Sequence, residues 1–262
     1  MKQYILLLAL CINPDFSSAE EIQNPLQPRI NGVRNARQNE FPFVVGLLLN
    51  RSIMECSGSI INQHKVLTAA HCIKGTTYNQ WLVTAGSYYW GDTNVIQRKV
   101  SSLKMHPQYK STGDSAFDIG IMDVAQPFEF NAAVHPVVLP RFNERLRPGT
   151  RAVAIGWGLT QTRTKMVLPL MLQALEVVPV VNGRCTRVWT TFERSICVVN
   201  ANILDDTCFG DSGGPMMVGN VQWGLTSSGT ANCKAGDPMK FLDVSRFTEW
   251  INRFSTIRRR NN

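Results

Sequence analysis

From Ile30 onward, short apolar runs alternate with polar and glycine-containing breaks. Val44-Val45-Gly46-Leu47-Leu48-Leu49, Lys65-Val66-Leu67-Thr68 and Trp81-Leu82-Val83-Thr84 are of this kind, as is the stretch from Ala152 to Gly158. Each is too short for a helix, and together they predict an all-β barrel or sandwich. Only the last segment has helical spacing. Val244, Phe247, Trp250, Ile251 and Phe254 recur every three or four residues and predict an amphipathic helix packed against a barrel. No internal repeat, low-complexity stretch or central linker interrupts the pattern, and the length of 262 residues fits one or two domains.

The start of the chain differs. Lys2 precedes an apolar run from Tyr4 to Ile12, and Ser17 and Ala19 are small residues where a signal peptidase would read. Residues 1–19 are therefore expected to be a secretory signal, too short for a membrane span. Residues 20–29 are polar, contain Pro25 and Pro28, and have no periodicity. No later apolar run has spanning length, so the mature protein is expected to be soluble and extracellular.

The chemistry concentrates in Asp205-Asp206-Thr207-Cys208-Phe209-Gly210-Asp211-Ser212-Gly213-Gly214-Pro215. A serine hydroxyl is a weak nucleophile until a base takes its proton. It also needs donors aimed at the developing oxyanion. Gly210 lacks a Cβ, so its N–H can approach a ligand closely and converge with that of Ser212. A base and its orienting carboxylate are available in Leu67-Thr68-Ala69-Ala70-His71-Cys72 and in Asp118-Ile119-Gly120-Ile121-Met122. Any one of these alone has an ordinary reading: a glycine-rich turn, a buried histidine, a capping aspartate. Together, in the order His71, Asp118, Ser212, they give the chain order of chymotrypsin.

On these three motifs the sequence resembles the trypsin/chymotrypsin family of serine proteases, from Ile30 to about Ile257. The resemblance implies two six-stranded antiparallel β-barrels with a C-terminal α-helix, the chymotrypsin-like fold, with a boundary near residues 135–150 and one peptidase domain over 30–262. It implies peptide-bond hydrolysis through an acyl-enzyme, with His71, Asp118 and Ser212 as the triad and the N–H groups of Gly210 and Ser212 as the oxyanion hole. Arg29-Ile30-Asn31-Gly32 resembles the family's activation junction. Cleavage after Arg29 would free the Ile30 amino group to pair with Asp211, a costly buried ion pair suited to a switch. The usual second residue of that junction is valine; here it is Asn31. The rival reading is a non-catalytic or partner-regulated binding protein on the same fold: the complete triad disfavours the first, and departures at Ser228 and Met239 keep the second open.

Seven cysteines occur, and Cys11 leaves with the signal. The even remainder in a secreted chain predicts disulfides, whose connectivity spacing alone does not choose. The resemblance chooses Cys56–Cys72, Cys185–Cys197 and Cys208–Cys233. A zinc site is the competing reading, weakened by the lack of any Cys-x2-Cys pair. The stretch Ser87–Asp92 stands where many relatives carry a calcium loop, yet only Asp92 is acidic, so no metal and no cofactor is expected. Asn50-Arg51-Ser52 is a glycosylation sequon in an expected turn.

Primary specificity is where the chain departs from its family. Asp206 matches the carboxylate at the base of the trypsin pocket, which pairs with arginine or lysine. In the facing wall, Ser227 matches the serine that supports the catalytic aspartate, and Gly229 the glycine that pairs with substrate backbone. Ser228 stands in place of the usual tryptophan, and Met239 in place of a pocket glycine. Met239 is expected to fill space and to desolvate Asp206, giving restricted arginine/lysine cleavage. Ordinary trypsin-like cleavage is the runner-up, because methionine is flexible.

The formal net charge is +8. Residues 1–29 hold two basic and three acidic residues, so the remainder carries +9. Part of it lies in Arg258-Arg259-Arg260, a candidate contact for sulfated glycan whose competing reading is a solvated tail. No motif supports nucleic-acid binding. The expected partners are protein or peptide substrates, an activating protease and protein inhibitors, and the enzyme is expected to be a monomer.

Overall fold

The structure, a computed structural model, describes residues 33–51, 53–90, 92–110, 115–158, 160–161, 166–167, 169–181, 185–186, 193–201, 212–228 and 238–255. Several site calls fall outside these residues: Arg29, Ile30, Asp206, Gly210, Asp211, Gly229, the Cys208–Cys233 pair and the Arg258–Arg260 tail.

The first barrel closes from β2 (Val44–Leu49), β3 (Ile53–Asn62), β4 (Lys65–Thr68), β5 (Trp81–Ala85), β6 (Ile96–Met105) and β7 (Gly120–Val124), in the order β2-β3-β4-β7-β6-β5. Every pairing is antiparallel. In β2, unlike β5 with its alternating burial, nearly every residue is buried. The reason is that it has two apolar neighbours. Val45 and Leu47 point into the barrel core with Ile60, Leu67 and Ile121. Val44 joins a second cluster with Ile155, Trp157 and Met217 from the other half of the chain.

That other half forms a second ring. β8 (Ala152–Gly156), β11 (Gln173–Pro179), β12 (Ser195–Asn200), β15 (Met239–Asp243), β14 (Val221–Ser228) and β13 (Pro215–Val218) follow one another, and pairings of β8 with both β11 and β13 close it. β1 (Val33–Asn35) reaches across and pairs with β11, Val33 opposite Leu175. A short hairpin of β9 (Thr160–Gln161) and β10 (Met166–Val167) stands apart. The expected pair of six-stranded antiparallel barrels is thus present.

Two features lock the barrels together. The mixed cluster around Val44, Ile155 and Trp157 removes apolar surface of both halves from water, at about 25 cal/mol per Å². A buried hydrogen bond from Ser59 Oγ in β3 to Gln222 Oε1 in β14, 2.6 Å long, fixes their relative register. The C-terminal segment then crosses back. Asp243 accepts from the Ser245 N–H and opens a 3₁₀ turn, Val244–Phe247, before the helix α2 (Thr248–Ser255). The helix is therefore shorter than its apolar spacing predicts, because the Asp243 cap tightens the first turn. Val244, Phe247 and Ile251 pack into the first barrel's core.

Candidate active site

His71 lies on a single helical turn, α1 (Ala70–Ile73), entered directly from β4. A disulfide from Cys72 to Cys56 in β3 ties this turn to the barrel wall. Asp118 follows a 3₁₀ turn at Ser115–Phe117 and precedes β7, which pairs with β4. The adjacent strands thus deliver the two side chains to one edge. His71 Nδ1 is 2.7 Å from Asp118 Oδ2, and the His71 backbone N–H donates to Asp118 Oδ1 at 2.8 Å. A third donor comes from the second barrel, Ser227 Oγ to Asp118 Oδ2 at 2.6 Å.

Asp118 is 3% exposed, so its carboxylate needs partners to remain inside. These three donors provide them. These contacts fix the imidazole with Nδ1 toward Asp118 and Nε2 facing away from it. The imidazole is one-third exposed, against 4% for the Asp118 side chain, so Nε2 lies at the open side of the pair. Tyr109 sits nearby: burial pushes its phenol up, and the negative charge of Asp118 adds to that. The sequence motifs did not point to this tyrosine.

Ser212 begins the turn that leads into β13. Its carbonyl accepts from Ser57 N–H at 2.9 Å, and Gly213 N–H donates to Thr226 O at 2.8 Å. Thr226 returns two bonds to Gly214 O, from its N–H at 2.9 Å and its hydroxyl at 3.0 Å. The turn is thus clamped between the barrels. Cys72 Sγ touches both sides of the site: it is 3.8 Å from His71 Nε2 and 3.7 Å from Ser212 O. Gly213 has φ +83°, and a Cβ there would stand 2.3 Å from Thr68 Oγ1 and 2.4 Å from Ser57 O. Only glycine fits this close approach of the serine turn to β3 and β4.

The remaining candidates are placed as follows. Cys185 and Cys197 are joined by a second disulfide. Ser228 ends β14 opposite Lys240. Met239 opens β15, is 8% exposed, and belongs to the second barrel's core cluster with Val198, Trp223 and Phe241. Its neighbour Lys240 is 3% exposed and lies cross-strand from both Cys197 and Ser228. Sequence reasoning passed over this buried lysine; the apolar residues around it, Met239, Phe241 and Leu242, were the available signal. Asn50 is exposed in the β2–β3 turn with φ +51°. Among the described residues, one grouping has metal-ligand proximity, Cys56, His71 and Cys72. Its two sulfurs are bonded to each other and offer no thiolate.

Comparison with known proteins gives the same identity along almost the whole chain. The Trypsin family model matches residues 30–251. Mouse kallikrein 1-related peptidase b21 is 31% identical over 96% of this chain and 97% of its own. Drosophila melanogaster serine protease 1 is 35% identical over 86% of this chain and 85% of its own. Among solved structures, mouse neuropsin superposes with a TM-score of 0.76 at 27% identity, covering 86% of this chain and 99% of that one. No helix among the described residues is long and apolar enough to cross a membrane. The chain belongs to the trypsin family and is a serine-type endopeptidase.

Proposed function

We propose that the protein is a secreted protease made as a zymogen, with His71, Asp118 and Ser212 as its catalytic triad. The observation that carries the reading is the Asp118–His71 pair, held by donors from both barrels and lying against the same disulfide as the Ser212 peptide group. In this reading His71 Nε2 takes the Ser212 hydroxyl proton as the oxygen attacks the scissile carbonyl. Asp118 keeps the imidazole in the Nδ1–H tautomer and stabilises the imidazolium that forms. The N–H groups of Gly210 and Ser212 receive the oxyanion. His71 then hands its proton to the leaving amine, and water enters by the reverse steps.

Residues 1–19 serve as the secretory signal and 20–29 as the activation peptide. Cleavage after Arg29 frees Ile30 to pair with Asp211. Its partners are polypeptide substrates, an activating protease and protein inhibitors, and the enzyme acts as a monomer. Arg258–Arg260 is a contact for sulfated glycan.

Cleavage after arginine or lysine is restricted. Met239 sits in a packed core, where its side chain is held, and beside it the ammonium of Lys240 is buried. Met239, held there in place of a pocket glycine, leaves less room for an arginine or lysine side chain.

Two variants test the reading. Ser212→Ala in the cleaved enzyme should abolish peptide turnover and adduct formation with an organophosphonate, with no change in thermal unfolding. Full activity in that variant would overturn the triad. Arg29→Gln should leave the secreted chain uncut and inactive, and equal activity of cut and uncut chains would remove the zymogen assignment. Arginine, lysine, leucine and alanine reporter peptides, read with parent and Met239→Gly, decide specificity. Efficient arginine cleavage by the parent returns the enzyme to the ordinary trypsin-like class.

A further inference from the structure

Apart from the triad, a row of cations crosses the face where β6 meets the C-terminal helix. Aromatic rings tie its members together. Lys104 Nζ lies 4.1 Å from the centre of the Phe254 ring, and the Arg194 guanidinium 4.6 Å from that of Phe117. The rings between them are continuous. Phe254 meets Trp250 at 5.4 Å, Trp250 meets His106 at 5.2 Å, and His106 stacks on Phe117 at 4.8 Å. Lys104 and Arg194 thus stand at the two ends of one aromatic strip. Past Arg194 the row continues. The Arg194 carbonyl accepts from Asp243 N–H at 2.8 Å, and Asp243 Oδ2 is 3.4 Å from Arg246 Nε. Arg253 is exposed on α2, one turn after Trp250.

These charges are poorly neutralised. Among the described residues Lys104 and Arg253 have no ion pair, and Arg194 pairs with Glu193, whose side chain is 81% exposed. A pair so open to water contributes little. Glu249, in the first turn of α2, is exposed as well. The cations are also held in place. A surface lysine or arginine that binds an anion loses rotamer freedom, and that loss is smaller where a ring already fixes the side chain. An ordinary solvated charge run lacks such fixing.

The strip offers little to nucleic-acid bases, which stack on free rings. Phe117 is faced by both His106 and Arg194, and Trp250 by both His106 and Phe254. Cations strung along a line fit the successive anionic groups of an extended chain, and guanidinium forks match a sulfate's oxygens. We propose that this folded face is a sulfated-glycan site, in which Lys104, Arg194, Arg246 and Arg253 receive sulfates of one chain. It rests on the glycan reading of Arg258–Arg260 for the class of ligand alone, and adds a contact built by the barrel and α2.

The test titrates the purified full-length protein with a heparin octasaccharide and follows the His106 imidazole resonance, assigned with His106→Phe. The expected result is a saturable shift. Lys104→Gln/Arg194→Gln should bind about tenfold more weakly, while Arg37→Gln/Arg151→Gln, exposed cations that touch none of these rings, should stay within about threefold of the parent. Equal weakening by the two pairs leaves only diffuse attraction and overturns the site. Lys104→Arg/Arg194→Lys should keep the parent affinity, and a loss there assigns the effect to packing and overturns the proposal. Binding with an unmoved His106 resonance places the ligand elsewhere and also overturns it. Equal affinity for single-stranded DNA of the same charge overturns the glycan assignment. Deleting residues 258–262 separates this face from the tail: the Lys104/Arg194 pair should still weaken binding in the shortened chain. Binding that is lost with the tail and indifferent to that pair overturns the face and leaves the tail reading standing. No binding by the parent overturns both.

Discussion

Gly213→Ala probes the contact that holds the proposed nucleophile in register with its base. The added Cβ would stand 2.3 Å from Thr68 Oγ1 and 2.4 Å from Ser57 O, about 1 Å closer than ordinary van der Waals contact. Ser57 O also accepts from Thr68 Oγ1 at 2.9 Å, so the two atoms it meets are themselves tied together and cannot both step aside. The residue is also held at φ +83°. The torsional cost for a residue with a Cβ is about 1–2 kcal/mol. Forcing a methyl into a packed position adds about 1–3 kcal/mol, for a total of about 2–5 kcal/mol. Gly219 supplies the control: it too has positive φ, +59°, but nothing lies within 4 Å of its Cβ position. Gly219→Ala should therefore show the torsional part alone. If the strain is relieved by moving the turn, Ser212 shifts by about 1 Å, and a displacement of that size can cost about 10²-fold in turnover. The assay pairs denaturant midpoints of both variants with kcat on a reporter peptide and active-site titration. The reasoning is refuted if Gly213→Ala is no less stable than Gly219→Ala and keeps the parent kcat.

The double variant Cys56→Ala/Cys72→Ala opens a loop of sequence separation 16, and should lower stability by about 3 kcal/mol in chemical denaturation. It should also reduce kcat, since Cys72 Sγ is wedged between His71 and Ser212, and a loss below about 1 kcal/mol would contradict the stapling role. His106 gives a pH prediction. Its ring stacks on Phe117 with 4.8 Å between centres and touches Phe247 and Trp250; burial first, and then the charge of Arg194, holds its pKa below the ordinary value. The unfolded chain then binds a proton more readily than the folded one. The folded state therefore loses stability as pH falls through about 6.5, the unfolded value, until the lower folded pKa is passed. His106→Phe should flatten the stability profile between about pH 7 and 5, and an unchanged slope would remove His106 as the cause.

Some of this was written locally in the chain. The apolar run of β2, the Asp243 cap with the apolar positions behind it, and the glycines around Ser212 are properties of a few neighbouring residues, and local sterics and periodicity suffice to read them. The chemistry of histidine, aspartate and serine in their order likewise needs no coordinates, because only a few residue types can do that work. What the sequence could not carry is which faces meet. Ser227 and Asp118 are 109 residues apart, and their hydrogen bond exists only because two separately closed barrels present their edges to each other. Lys240 and Met239 look alike as strand residues, yet the pairing of β15 with β12 and β14 decides what each one meets, since a register fixes every side chain's direction at once. Trp157 shows the same limit. It follows β8 of one barrel, yet it is buried in one cluster with Val44 of the other, and no window of sequence contains both.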